Sequence, residues 1–202
     1  MNKIRVCFSI VAMLSLTQVR AQHHSFDTTS YSFPAPAGWG KELFPIPIEF
    51  APSIPFKGQE ELRFAPGWGK ADSEEYWSYA FVWFLQGHER ITAENLKANL
   101  EAYYTGLIGR NIEKRKIPKE KLFPVSVSVK PAVRSANAAE AFVGEISMLD
   151  YMAQKPIKLY VRAQVKPCSG NLTTILFQIS PAAEGAPIRK KLQQLVDDFN
   201  CK

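Results

Sequence analysis

The sequence is short of the residues on which several common chemistries depend. Its 202 residues include three Cys and three His, and its formal net charge is only +6. Three Cys are too few for a disulfide-dense miniprotein, and three His leave little material for a histidine-based metal site. Hydrophobic residues make up 46% of the chain, which argues against disorder and favours one globular domain.

Residues 1–21 are predicted to be a secretory signal peptide. Lys3 and Arg5 give it a positively charged start, an apolar stretch covers residues 6–16, and Ala21 is a small residue at the predicted cleavage site. The apolar stretch is too short to span the roughly 30 Å of a membrane core. Cleavage removes basic residues and no acidic one, which halves the net charge. We therefore expect a secreted or periplasmic protein with no transmembrane segment and no nucleic-acid partner.

The mature chain would keep two cysteines, Cys168 and Cys201, because Cys7 lies within the signal peptide. An even pair in an exported protein most simply forms one disulfide bond. That bond would tie the C-terminal helix to the end of a strand and stabilise the fold by roughly 3–4 kcal/mol in the chain-entropy model. A redox pair is the alternative, although no Cys-x-x-Cys spacing is present.

Prolines are concentrated in the first part of the mature chain. Because proline lacks an N–H and fixes φ, this part is not expected to form a helix or a central strand. It also carries many large apolar side chains, which a disordered linker would lack. We expect residues 22–58 to form a Pro-rich extended arm packed on a single domain that covers residues 59–202.

A Gly-Trp-Gly-Lys sequence occurs twice, at residues 38–41 and 67–70. Two glycines around a tryptophan predict a turn that fixes the position of the indole. These indoles either plug the edge of the core or form a surface platform that binds a ligand. Exposed aromatic rings can stack on sugars or on other flat apolar faces. The candidate ligand-binding residues are the four tryptophans Trp39, Trp68, Trp77 and Trp83.

From residue 59 onward the apolar pattern is regular. Residues 60–65 predict a short strand. The aromatic-rich segment from Glu75 to Leu85 is apolar on both alternating faces, with Ser78 among them, and predicts a central strand that is covered on both faces. Thr92 is predicted to cap a helix that ends at Gly109. The segment from Arg110 to Lys121 is predicted to be an exposed basic connector.

Four strands with short links are predicted next, followed by a last helix that Pro187 opens. The fold class is therefore α+β: an antiparallel sheet of about five to six strands packed by two helices, with the Pro-rich N-terminal arm. In element order, residues 59–200 resemble the PsbP-like fold. The stretch GWGKELFPIPIEFAP…EELRFAPGW…YWSYAFVWFL is similar to a family of uncharacterised secreted bacterial proteins, which implies export and no known activity.

No catalytic residue stands out. His88 has no nucleophile motif beside it, so we interpret it as a polar turn residue. A carboxylate pair is the least excluded catalytic device. Acidic residues that could contribute to one are Glu60, Glu61, Glu74, Glu75, Glu145 and Asp150.

No cofactor is predicted. Cleavage after Ala21 would place His23 and His24 at the N-terminus, an arrangement that can bind Cu(II), although a solvated polar terminus is the simpler interpretation. We expect an exported, soluble, non-catalytic module that binds a small ligand or an envelope protein, as a monomer or weak homo-oligomer. The alternatives are a hydrolase with a carboxylate pair and a carbohydrate-binding surface built on Trp and Tyr.

Overall fold

The computed structural model describes residues 31–134 and 138–201. The predicted signal peptide and the predicted copper ligands His23 and His24 lie outside the described residues. The helices are α1 (Ala93–Arg115) and α2 (Pro187–Asp197), and a short 3₁₀ helix covers Lys119–Lys121. The strands are β1 (Tyr31–Ser32), β2 (Gly40–Ile46), β3 (Gly58–Phe64), β4 (Tyr79–Gln86), β5 (Ser126–Pro131), β6 (Glu140–Asp150), β7 (Lys155–Pro167), β8 (Leu172–Ser180) and β9 (Asn200–Cys201).

Seven strands form one antiparallel sheet in the order β2-β3-β4-β8-β7-β6-β5, and β1 pairs with β9 in a separate ribbon. The predicted α+β class, with an antiparallel sheet and two helices, is confirmed. The sheet has more strands than predicted because β2 lies inside residues 22–58, for which the sequence predicts an extended arm. β2 contains Pro45 and forms an edge of the sheet, where a residue without an N–H is tolerated.

Strand β4 is buried on both faces, as predicted, but it begins at Tyr79 rather than at Glu75, because residues 75–77 form a turn. The side chains from Tyr79 to Leu85 are each 2% exposed or less. Phe81 and Trp83 join the larger apolar cluster beneath α1, whereas Val82 and Phe84 join a smaller cluster beneath α2. The sheet therefore separates two apolar layers, and one helix packs in each layer.

Helix α1 begins at a capping box. The Asn95 N–H donates to Thr92 Oγ1 (3.2 Å) and the Thr92 N–H donates to Asn95 Oδ1 (2.9 Å). Along the helix, Leu96, Leu100 and Tyr104 are buried against the sheet. Within residues 31–134 and 138–201, no helix is both long enough and apolar enough to cross a membrane.

The prediction that Gly109 ends this helix is wrong. α1 continues to Arg115, and Lys116 caps it in the left-handed conformation, with φ 54°. A side chain at Gly109 would meet nothing within 4 Å, so this glycine lies on the open side of the helix. Most of the residues after it, including Arg110, Glu113 and Lys114, are good helix formers, so the helix continues past this one exposed glycine. The first part of the predicted basic connector is therefore helical.

Helix α2 covers the opposite face of the sheet. Its predicted apolar stripe is buried, with Leu192 and Val196 fully enclosed, and Phe33 and Phe199 complete the cluster. Cys168 and Cys201 form the expected disulfide bond, with their Cα atoms 5.5 Å apart, and both pack against this cluster. The disulfide therefore lies on the α2 side of the sheet.

Candidate functional site

A cavity of about 300 Å³ lies on the α1 side of the sheet. Strands β2 to β4, the segment between β3 and β4, and the C-terminal half of α1 supply its lining. Most of the lining is aromatic: Phe44, Phe50, Phe64, Trp68, Trp77, Tyr79, Tyr103 and Tyr151. The volume is at the lower end of the range that protein sites use for small molecules.

Trp68 is held at the cavity by a tight turn that leaves no room for a side chain at Gly67. A Cβ at Gly67 would lie 2.0 Å from Ser73 Oγ, so only glycine fits. The Gly67 N–H donates to Glu75 Oε2 (3.0 Å), and Glu75 also pairs with Lys191 of α2 (2.7 Å). The second Gly-Trp-Gly-Lys sequence therefore forms a turn that Glu75 stabilises, and the turn places the Trp68 indole at the cavity.

Trp77 lines the same cavity from the end of that segment. The backbone N–H of Trp77 donates to the backbone carbonyl of Trp68 (3.0 Å). The centroids of the two indole rings lie 5.7 Å apart in an edge-to-face arrangement. The φ of Trp77 is 52°, a left-handed conformation that bulky residues rarely adopt, and its ring is completely buried against Tyr151. A strained backbone of this kind is often found where a side chain must be held for binding.

Both indole N–H groups are buried, and neither forms a hydrogen bond among the described residues. Burial raises the pKa of the Tyr76 hydroxyl and its hydrogen bond to Asp150 adds to that rise, whereas the adjacent Trp77 indole N–H opposes it. A buried donor without a partner costs about 1–3 kcal/mol. Of the two, the Trp68 N–H is the donor for which the described residues offer no acceptor.

Three cationic side chains from the end of α1 also line the cavity: Arg110, Lys114 and Arg115. Arg115 lies over the Tyr151 ring, with its guanidinium carbon 5.2 Å from the ring centroid, and Arg110 lies 6.0 Å from that of Phe50. Among the described residues of the lining, the only acidic side chain is Glu42. Burial raises the pKa of Glu42, and the charge of Arg110 opposes that rise. The lining therefore carries net positive charge.

Glu60 lies behind the aromatic lining. It is completely buried and accepts hydrogen bonds from Trp83 Nε1 (3.1 Å) and from the Tyr103 hydroxyl (3.4 Å). Burial raises the pKa of Glu60 to about 8, and both hydrogen bonds act against that rise. Glu60 is therefore mainly an uncharged acid at neutral pH, in contact with a tyrosine that lines the cavity.

The four predicted ligand-binding tryptophans do not share one surface. Trp68 and Trp77 meet at the cavity, whereas Trp83 is fully buried and donates to Glu60. Trp39 lies on the other side of the sheet, where it packs against the cluster beneath α2. The two Gly-Trp-Gly-Lys turns therefore place their indoles on opposite faces of the sheet.

Sequence reasoning missed the cationic part of the cavity lining. Arg110, Lys114 and Arg115 were assigned to an exposed connector because Gly109 was expected to end the helix. On a continuing helix, residues four positions apart, such as Arg110 and Lys114, lie on one face, and that spacing was the available signal. Tyr103 was predicted as part of the apolar stripe, but nothing in the sequence marks it as facing a cavity.

The acidic residues considered for catalysis lie in separate places. Glu61 pairs with Arg63, Glu75 with Lys191, and Glu145 with Lys158 (2.9 Å). Asp150 is buried and accepts from the Tyr76 hydroxyl (2.6 Å) and from turn N–H groups. His88 and Glu74 are exposed. Among the described residues, no group of three or more His, Cys, Asp or Glu side chains is arranged to bind a metal ion.

A larger groove of about 560 Å³ lies on the other face of the sheet, over β5, β6 and β7. Most of its charged side chains are already partnered: Glu145 pairs with Lys158, and Arg162 with Glu184. Arg189 donates to the carbonyl of Ser180 (2.9 Å). The smaller cavity is the better candidate, because its lining is mostly aromatic and its three cationic side chains form no salt bridge among the described residues.

Comparisons of this chain with protein-family models, with curated proteins and with solved structures found no match.

Proposed function

We propose that this protein is an exported, non-catalytic binding protein that holds a small ligand in the aromatic cavity. The aromatic lining of the cavity and the buried Trp68 indole N–H, which has no acceptor among the described residues, support this proposal most directly. An aromatic lining contributes affinity through burial of apolar surface, and a few fixed polar groups orient the ligand. Export is proposed from the sequence of residues 1–21.

A hydrolase is the second candidate, and one observation favours it. Glu42 and Glu60 lie on the same face of the sheet, and the pKa of each carboxyl is raised. A glycosidase needs one protonated and one ionised carboxyl that both reach the substrate. Glu60 is fully buried behind Tyr103, so binding is the better-supported function.

A thermal-shift screen against small aromatic, aliphatic and saccharide compounds would test the binding proposal. A compound that binds only the folded state raises the melting temperature. The variant Leu107→Trp fills the cavity, and Ala98→Trp adds the same bulk on an exposed part of α1. We expect active compounds to stabilise the wild type and Ala98→Trp but not Leu107→Trp, with isothermal titration calorimetry as the second measurement.

Two outcomes would contradict the proposal. In the first, no compound of any class raises the melting temperature. In the second, the same compounds stabilise Leu107→Trp as strongly as the wild type, which would place their binding outside the cavity. Hydrolysis of chromogenic glycosides that is lost in both Glu42→Gln and Glu60→Gln would instead favour the hydrolase.

A further inference from the structure

The cations that line the cavity are not neutralised by the protein. Within the part of the chain that the structure describes, no salt bridge uses Arg110, Lys114 or Arg115. All three side chains are exposed, so they lie toward the solvent side of the cavity. Among the described residues of the lining, Glu42 is the one acidic group, so a single carboxyl faces three cations.

The two arginines are held against aromatic walls. Arg115 lies over Tyr151 and Arg110 over Phe50, at distances typical of cation–π contacts. Both rings line the cavity. Guanidinium groups held in this way present several N–H donors in fixed positions, which suits the bidentate recognition of a carboxylate.

The interior of the cavity offers a different chemistry. Trp77 is completely buried, and the indole nitrogen of Trp68 is buried as well. An indole N–H can only donate, so its missing partner is an acceptor. A charged group placed that deep would lose its hydration with little compensation, whereas an uncharged oxygen would lose far less.

We infer that the cavity selects a compact ligand with a carboxylate at its solvent side, an apolar or aromatic body, and an uncharged oxygen acceptor at its buried end. This inference deepens the proposed function and rests on it. The carboxylate binds between Arg110, Lys114 and Arg115, and the oxygen accepts from the Trp68 indole N–H. A cationic ligand would meet three like charges and only Glu42 in return.

Three matched probes test the inference by calorimetry on the full protein: para-acetylbenzoate, para-acetylbenzamide and para-isopropylbenzoate. The benzamide replaces the carboxylate by a neutral group, and the isopropyl compound replaces the carbonyl by a methyl branch. We expect para-acetylbenzoate to bind at least about tenfold more tightly than the benzamide. We expect it to bind about fivefold more tightly than the isopropyl compound, because that compound leaves the Trp68 indole N–H without an acceptor.

Variants assign each preference to its residues. Replacing Arg110, Lys114 and Arg115 together by Gln is expected to remove the preference for the carboxylate over the amide. Lys97→Gln is the matched control, since Lys97 lies on the same helix and pairs with Glu101 outside the cavity. Trp68→Phe is expected to remove the preference for the acetyl group, whereas Trp39→Phe, on the other face, is expected to keep it.

The results separate this inference from the proposed function. Equal affinity of the wild type for the benzoate and the benzamide would overturn the inference and leave a binding cavity. Tighter binding of the cationic para-acetylbenzylamine would overturn it in the same way. If none of these probes binds and the broad screen is also negative, both the inference and the proposed function fail.

Discussion

Glu60 is a buried acidic residue that joins a tyrosine of the cavity lining to the core through hydrogen bonds. It is an acidic side chain with no exposure to solvent, and its two hydrogen-bond donors are the Trp83 indole and the Tyr103 hydroxyl. Neither donor carries a charge, so neither compensates fully for the lost hydration of a carboxylate. The folded protein therefore favours the protonated acid.

The stability of the protein is expected to fall as the pH rises from about 4.5 to about 8 because of Glu60. The pKa of Glu60 is about 8 in the folded state, against 4.5 for the unperturbed group. Below about pH 4.5 both states are protonated, so the contribution of Glu60 is fully present; it is lost as the pH rises through 8. Urea unfolding across this range is expected to show a loss of about 3–5 kcal/mol.

Glu60→Gln is the test variant, because glutamine keeps the shape and stays neutral at every pH. Its free energy of unfolding is expected to vary less with pH than that of the wild type. Glu49→Gln removes an exposed acidic group and is the matched control, with a wild-type slope expected. Equal slopes for the wild type and Glu60→Gln would show that Glu60 is already ionised in the folded protein.

At the scale of secondary-structure elements, the strands were easier to predict than the limits of α1. Alternation of apolar and polar residues defines a strand locally, as in β7, where Leu159 and Val161 face the core and Lys158 faces out. The end of a helix depends on what surrounds it. Gly109 resembles a C-terminal signal in the sequence, but its open side and the helix-forming residues after it allow the helix to continue.

The two glycines of α1 are expected to respond oppositely to substitution by alanine. Gly109→Ala meets open space and reduces the entropy of the unfolded chain, so it is expected to stabilise the protein by about 0.5–1 kcal/mol. A Cβ at Gly106 would lie 1.7 Å from the Phe50 carbonyl oxygen, which forces the helix away from its neighbour. Gly106→Ala is expected to destabilise by about 1–3 kcal/mol.

Chemical denaturation of the two variants measures both effects on the same helix, with each as the control for the other. Stabilisation by Gly106→Ala would show that the segment containing Phe50 can move away at little cost. Destabilisation by Gly109→Ala would show that this part of α1 packs against something that the described residues do not include.

At the scale of the whole molecule, composition and pattern were sufficient to predict the α+β class, the central β4 and the two helices. They were not sufficient for β2 or for the cavity. β2 joins the sheet through backbone pairing with β3, and its Pro-containing sequence has no clear alternation. The cavity needs Trp68 and Arg115 to meet, and they come from elements that no local pattern relates. Packing of distant elements, not local propensity, decides both features.

Because the disulfide and the cavity lie on opposite faces of the sheet, we expect loss of the disulfide to lower stability without changing ligand affinity. Cys168–Cys201 lies with the cluster beneath α2, whereas the cavity lies on the α1 side. Replacing both cysteines by Ala removes a crosslink between residues separated by 33 positions and is expected to destabilise the protein by about 3–4 kcal/mol. Because the crosslink acts mainly on the unfolded chain, ligand affinity well below the melting temperature is expected to stay unchanged.

Calorimetric binding and urea unfolding of the same variant separate the two effects, and the wild type treated with a reducing agent is the second sample. A large loss of affinity with intact secondary structure would mean that the two faces of the sheet are coupled, and that the α2 layer helps to shape the cavity.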